Sequence, residues 1–454
     1  MAPVIRRRAV DIAVSLAAML LLLAPALWNG FPLLQYDSGG YFARWYEGTL
    51  EESRSTVYGL FTVALARPNF WPLIVVQAAL AVWVVALVLR VHGLGRPLVL
   101  LVTIAALSVA TTLPWLADIV LTDIFFGLAV LALHLLVLRN DALARWERVA
   151  LFVLIAFSAA THNATLAVLL ALLAAGLVVA LFDRRLVPLA DLARGTAALL
   201  LGAVMLLGAN YLVAKRVAWT PGGIGLTFGR MLQDGIVKRY LDEHCPDPRL
   251  RLCDYRDELP TDADVFFWGE SVFDRLGRFK GMNEEMRTIV LQSLAAYPWL
   301  QLKGAVVATA RQLVKVATGY GVNTEIWHTY GMIEHFAPAM LPAMKAARQQ
   351  RGELDFAAIN RVHVPLALAS MVLLIGVIAL ALRRPRYADL GALAAAAALA
   401  ILANAFVCGA LSNPHDRYGA RMVWLAPFIL LLLPWRASGI PTRGTKATHN
   451  GNQS

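Results

Sequence analysis

The chain has 454 residues, of which 59% are hydrophobic and only 16% charged, and its mean hydropathy is +0.62. A soluble protein of this length carries more charge, and the apolar residues fall in runs of about 20, enough to cross a bilayer core of roughly 30 Å. This excludes a soluble enzyme; continuous runs exclude a β-barrel; and the net charge of +11 is not a nucleic-acid footprint, because much of the arginine sits in short connections beside apolar runs.

The first run, about 9–29, follows Arg6, Arg7 and Arg8. It is longer than the roughly 7–15-residue core of a signal peptide, and no small-residue cleavage site follows. It reads as a retained first helix leaving the cytoplasm. Residues 30–68 form the first outer loop, where Asp37, Arg44, Glu47, Glu51, Glu52, Arg54 and Arg67 are interleaved with Trp45, Tyr46, Tyr58 and Phe61. Such a mixture suits short helices in the membrane interface. Helix 2 runs about 70–90, and Arg90, His92 and Arg96 mark an inner turn. Helix 3, about 97–113, ends at Pro114-Trp115, and an outer turn carries Asp118 and Asp123. Helix 4 runs to about Leu138, with Arg139, Arg145 and Arg148 inside. Residues 149–182 are apolar except around 158–165, and arginines bracket both ends. The pattern predicts two short helices with His162-Asn163 at their outer tip. Helix 7, about 195–213, closes an N-terminal module of residues 1–214.

Residues 215–360 are the only long polar region, and the basic flanks place them outside. Gly222-Gly223-Ile224-Gly225 is not a dinucleotide fingerprint, since no strand precedes it and the spacing is wrong. Cys245 and Cys253 flank Pro246-Asp247-Pro248, a tight turn that predicts a disulfide in an oxidising compartment. From Tyr297-Pro298-Trp299 to about Ala317, Lys303, Val307, Arg311 and Lys315 share one helical face. The charge balance lays this segment flat on the outer surface as an amphipathic cationic helix. Helices 8 (about 362–382), 9 (about 388–411) and 10 (ending near Trp435) form a C-terminal module, 361–436. The Gly/Thr/Asn-rich tail, 437–454, reads as disordered and cytoplasmic. The fold class is an all-α polytopic membrane protein of about ten transmembrane helices, with a large periplasmic loop region after helix 7.

The chemistry centres on Tyr36-Asp37-Ser38-Gly39-Gly40-Tyr41. A carboxylate at the lipid interface feels a lower dielectric, its pKa rises, and it becomes a better base. The alternative is a helix N-cap with glycines supplying a turn. Asp118 and Asp123 are five apart and share no clean helical face; one would bind a metal or the acceptor while the other caps helix 4, or both are solvated loop acids. His162 and Asn163 interrupt an apolar hairpin, where unpartnered polar groups cost a few kcal/mol; a phosphate or a helix cap would satisfy them. His415, Arg417, Tyr418 and Arg421 form the densest C-terminal polar cluster. Arginine forks match phosphate oxygens, and Arg417 and Arg421 point the same way if the last helix starts early. Otherwise they snorkel toward headgroups.

In the order of these parts the chain resembles the GT-C superfamily of membrane glycosyltransferases, which includes the protein O-mannosyltransferases and bacterial aminoarabinose transferases. The shared features are an acid in the first outer loop, interfacial helices after it, a second acid cluster after helix 3, a short hairpin for helices 5 and 6, a large loop after helix 7, and an Arg-Tyr pair before the final helix. The match is best over residues 9–213. Ser38 stands where relatives often carry a second acid, and His162 where some have a lysine. The resemblance implies a bacterial inner-membrane enzyme with its active site facing the periplasm. It would take a sugar from a polyprenyl-phosphate carrier to a lipid, glycan or protein acceptor. Asp37 would be the general base, and Arg417, Arg421, His415, Tyr418, His162 and Asn163 would bind the donor phosphate, with Mg or Mn as a candidate divalent cation. Membrane lipids are its surroundings, and no nucleic acid is expected. Two other classes compete: a lipid or polysaccharide-precursor transporter or flippase, which needs polar groups at mid-membrane, and a membrane O-acyltransferase built on His162 or His415.

Overall fold

A bilayer leaves backbone polar groups no water to bond, so long Leu/Ala/Val runs satisfy themselves as helices. The computed structural model describes residues 2–324 and 326–438. Among them there are only helices and two isolated bridges, with no strand. Six helices are long and apolar enough to cross a membrane, at Trp71–Val91, Asn163–Phe182, Leu189–Ala214, Phe356–Arg383, Pro385–Ala410 and Asp416–Ala437. The protein is therefore an all-α, multi-pass membrane protein. The tail expected to be disordered lies outside the described residues from 439 onward.

The principal helices of the first half are α1 (Ala2–Leu22), α2 (Ser38–Glu47), α3 (Thr56–Ala64), α4 (Trp71–Val91), α5 (Pro97–Ala110), α6 (Ile124–Leu138), α7 (Arg145–Thr161), α8 (Asn163–Phe182) and α9 (Leu189–Ala214). Those of the second half are α10 (Gly223–Gln233), α11 (Arg278–Ala296), α12 (Pro298–Val314), α13 (Trp327–Phe336), α14 (Phe356–Arg383), α15 (Ala388–Ala410), α16 (Asp416–Val423) and α17 (Leu425–Ala437). At 1.5 Å per residue, α4 spans about 30 Å. It begins at Phe70, packed edge-on against Phe31 and Phe42. It ends at His92, whose carbonyl accepts from Arg436 (2.6 Å), while Arg139 donates to the Val91 carbonyl (3.1 Å). The bundle thus has a rim holding the 30–68 loop and a far end rich in arginine, with Arg90 on Glu147 and Arg436 on Asp389.

Two helices break where proline dictates. The first run stops at Leu22 and resumes as Ala24–Asn29, because Pro25 has no N–H for the ladder and its ring crowds the preceding turn. Pro427 does the same near Trp424, so the final run divides into α16 and α17. The division starts helix at Asp416 and puts Arg417 and Arg421 on one short segment at the rim.

The 215–360 region is not one body. Residues 223–297 enclose their own core, with Phe228, Phe266, Phe273, Phe279, Met282 and Met286 buried together. Cys245 and Cys253 are joined there by a disulfide, their Cα atoms 5.6 Å apart. Helix α12, expected to lie free on the surface, is docked along α15. Its buried face is Gly304, Ala308 and Gln312; the Ala308 carbonyl and the Gln312 side chain lie against Gly409. The close approach to α15 is made at Ala308, where Gly409 admits its carbonyl, while Gly304 faces the Asp234 carboxylate, a packing that polarity alone did not reveal. Lys303, Arg311 and Lys315 face outward. Residues 316–355 instead fold back over the first loop, with α13 packed on α2.

Buried Gln77 on α4 ties the rim together. Its amide donates to the Ala117 and Ile119 carbonyls (2.9 and 3.0 Å) and accepts from the Tyr58 hydroxyl (3.1 Å). Gln77→Leu would strand three polar groups at about 1–3 kcal/mol each. Thermal unfolding in detergent should show a loss of about 2 kcal/mol or more, against little change for the exposed Val75→Ala. A wild-type melting temperature for Gln77→Leu would refute this role.

Candidate active site

The Asp37 segment is fixed before its carboxylate meets anything. Leu33 donates to the Asp118 carbonyl (3.0 Å) and accepts from the Val120 amide (2.9 Å), stitching the loop to the turn after α5. The Gln349 side chain bonds both polar groups of the Leu34 backbone, at 3.1 and 2.7 Å. Thr329 Oγ1 accepts from the Gly39 amide (2.9 Å) and donates to the Gln35 carbonyl (2.8 Å). Gly39 has no substitute, since a Cβ would sit 2.5 Å from the Thr329 Cα. Asp37 occupies the N-cap position of α2 but makes no capping bond. The Ser38 hydroxyl accepts from the Gln35 amide at 3.0 Å. The Asp37 carboxylate is left free to point inward.

It meets two arginines. One oxygen pairs with Arg54 and the other with Arg417 Nη1 at 2.5 Å. Arg417 also holds Asp123, through Nε at 2.6 Å and Nη2 at 3.3 Å. Beyond Asp123 lies Arg421, fully buried, its Nη1 3.6 Å from Oδ1. Arg421 is fixed by Asn404 Oδ1 (3.2 and 2.9 Å) and Cys408 Sγ (2.9 Å), and its guanidinium lies 3.4 Å from the Phe126 ring centroid. The result is an alternating chain, Arg54, Asp37, Arg417, Asp123, Arg421. Three guanidiniums alternate with two carboxylates, and Glu51, bridged to Arg44, adds its charge on the Arg54 side. Arg421 Nη1 and Arg54 Nε are buried without a hydrogen-bond partner.

The chain reverses the expected electrostatics of Asp37. Burial pushes its carboxyl up, as the interface argument held, but Arg54 and Arg417 outweigh burial and bring it down to about 2. At rest Asp37 is a stabilised anion and a poor base.

The other candidates divide. Asp123 joins Asp37 through Arg417, but Asp118 does not. It is fully buried and accepts from the Ala26 amide (2.7 Å), and burial holds its carboxyl well above the ordinary range. His162 caps α8, accepting from the Ala164 amide (3.1 Å), with its ring against Phe126. Burial first, then Arg421 and Arg417, keep its pKa well below the usual imidazole value, so it is neutral. Asn163 points away and accepts from the Trp219 indole (3.1 Å). His415 faces Asp264 of the loop body at 3.4 Å and lies between the Tyr320 and Tyr418 rings. Tyr418 lies beside Arg421, 5.0 Å from its guanidinium to the ring centroid. Among the described residues no group of three or more His, Cys, Asp or Glu is placed to hold a metal, and Asp37 and Asp123 are already neutralised by arginine. The donor set does not fit a divalent cation.

Arg54, Asn404 and Cys408 were not singled out in the sequence. The last two carried a signal: they are polar or polarisable groups four apart inside an apolar helix, hence on one face. Arg54 carried none beyond its place in a charged loop. Beside Arg417 and Asp123 opens a small, mostly apolar pocket lined by Leu33, Trp115, Ile119, Tyr320 and Phe356, with a volume of about 40 Å³. That is little more than a water's room, so the ion-pair chain closes its inner end. Comparison with protein-family models, curated proteins and solved structures found no match to this chain.

An aspartate that titrates near 3.8 when unfolded and about 2 when folded favours the folded state while ionised. That contribution, about 2 kcal/mol, is complete above roughly pH 4 and disappears as pH falls through 2. The wild-type unfolding temperature in nanodiscs should fall between pH 4.5 and 2.5 more steeply than that of Asp37→Asn. Parallel slopes would contradict the ion-paired Asp37.

Proposed function

We propose that the chain is an integral membrane glycosyltransferase that moves a sugar from a polyprenyl-phosphate carrier to an envelope acceptor, with about ten spans in a bacterial inner membrane. The observation that carries this reading is the convergence of Arg54 and Arg417 on the Asp37 carboxylate, with Arg421 behind them, at the rim of the bundle. Interior guanidiniums aimed at one spot stabilise developing phosphate charge, and a lipid phosphate reaches a rim by lateral diffusion. Arginine concentrated at the far end argues for that end being cytoplasmic. The disulfide in the loop body suits an oxidising periplasm on the Asp37 side.

The low Asp37 pKa becomes part of the mechanism. A donor phosphate engaging Arg417 and Arg54 withdraws the charges that hold the carboxyl down. Burial then dominates, the pKa rises, and Asp37 becomes a competent base only when the donor is present. The acceptor oxygen attacks the anomeric carbon, its proton passes to Asp37, and the carbon–oxygen bond to the phosphate breaks. The phosphate leaves as an anion on the arginines, so no acid is needed to protonate it. One displacement inverts the anomeric centre. Arg421, clamped by Asn404, Cys408 and Phe126, supplies fixed positive potential; Asp123 orients Arg417. A histidine-based acyl transfer has less support, since His162 is a neutral cap and His415 is engaged with Asp264.

The test compares wild type, Asp37→Asn and Arg417→Ala in lipid nanodiscs with labelled polyprenyl-phosphate sugars and a membrane-lipid extract, with and without EDTA. Wild type should release polyprenyl phosphate. Asp37→Asn should lose at least about a hundredfold, the lower range of general-base contributions. Arg417→Ala should lose at least as much, and EDTA should change nothing. Failure of wild type to consume any donor, or equal activity of Asp37→Asn, would sink the assignment and favour transport.

A further inference from the structure

An open groove lies against the Asp37 segment, where residues 316–355 fold over the first loop. It is lined by Tyr36, Asn323, Thr324, Gln349, Gly352 and Phe356, with a volume of about 440 Å³. That falls within the roughly 300–1,000 Å³ typical of small-molecule sites. Val322 and Phe356 line both this groove and the narrow pocket that ends on Arg417 and Asp123. The two spaces therefore adjoin, and the groove leads toward the ion-pair chain.

The chemistry of the lining is distinctive for this protein. Among the described lining residues none is charged, although ion pairs of Glu353 with Arg348 (2.6 Å) and Arg351 (2.5 Å) stand on the nearby surface. Those exposed pairs mark the groove as water-facing. Tyr36 presents an exposed ring, and its hydroxyl accepts from Asn323 Nδ2 at 2.6 Å. That leaves the Asn323 amide oxygen and the exposed Thr324 hydroxyl as acceptor and donor. Gln349 is spent on the backbone of Leu34 and Asn323, so it is wall and does not bind. Gly321, at φ +77°, packs behind the Tyr36 ring; a Cβ there would lie 2.4 Å from the Gln35 side-chain amide and 2.9 Å from that ring. The ring is thus backed by the neighbouring chain and tethered through its hydroxyl.

We infer that this groove binds a neutral carbohydrate, and that the acceptor of the proposed transfer is such a sugar, presented from the aqueous side. Uncharged amide and hydroxyl groups beside fixed aromatic faces suit a ligand with apolar C–H faces and many hydroxyls. Among the described lining residues an anionic glycan or a cationic peptide finds no charged partner, and an alkyl chain would strand the polar groups of the lining. The acceptor assignment rests on the transferase reading; the binding site does not.

Binding is measured without any donor, by saturation-transfer NMR on the full chain in nanodiscs, using a panel of neutral oligosaccharides, their uronic-acid counterparts, and glycolipids carrying the same neutral headgroups. Wild type should bind at least one neutral oligosaccharide. Thr324→Trp, which fills the groove from an exposed position, and Tyr36→Ala should each weaken it tenfold or more, and the acidic counterparts should bind at least tenfold more weakly. Comparable groove-dependent binding of the soluble sugar and the glycolipid supports the inference. Binding of the glycolipid alone overturns delivery from water, and unchanged binding in Thr324→Trp, or none in wild type, overturns the site. Sugar binding without donor consumption would leave the groove standing and the transferase reading refuted. Donor consumption without sugar binding would do the reverse.

Discussion

The architecture of the rim depends on the placement of Asp37 between two guanidiniums. Ionised groups this far from water are tolerable only in mutual contact; removing one partner from a buried pair costs about 3–5 kcal/mol. Arg417 has little freedom, because it answers to Asp37 and Asp123 at once. Arg421 has less, wedged between an amide, a thiol and an aromatic face. The same contacts that stabilise the rim set its chemistry.

Support for this chain comes from neutral side chains that each bond two or three backbone groups. Gln77, Gln349 and Thr329 all act on backbone in loops or at helix ends. A loop inside a membrane protein carries backbone groups that neither helix nor water satisfies. Side-chain amides, with both donor and acceptor, are suited to replace the missing ladder. The first loop and residues 316–355 are therefore one layer, although nearly 300 residues separate Gly39 from Thr329.

Much of the helical layout was legible because apolar runs bounded by arginine leave few choices. The hairpin tip at His162-Asn163 followed from such a pattern, whereas the start of the last helix at Asp416 was left as a condition and comes from the structure. The candidate cluster was legible only as a set of residue types. Arg417 and Arg421 stood out by density, whereas Arg54 looked like any loop charge. The direction of the Asp37 shift was misread because Arg54, 17 residues on, and Arg417, 380 residues on, reach the carboxylate only through tertiary packing. Interface dielectric can be inferred from position, but a guanidinium brought in by tertiary packing cannot. The docking of α12 was missed for a related reason: its charges were conspicuous, while Ala308 and Gly409, where the two helices close on each other, were not.

That sequence distance also orders the protein's assembly. Chains are made from the N-terminus, and early segments fold as they emerge. Asp37 and Asp123 enter the membrane with the first helices, yet Arg417 follows Asp123 by 294 residues. For most of synthesis Asp123 is without its main counterion, and Asp37 has Arg54 alone. The rim is incomplete until α16 arrives, so a chain truncated before the last helix would hold an uncompensated carboxylate inside the bilayer boundary.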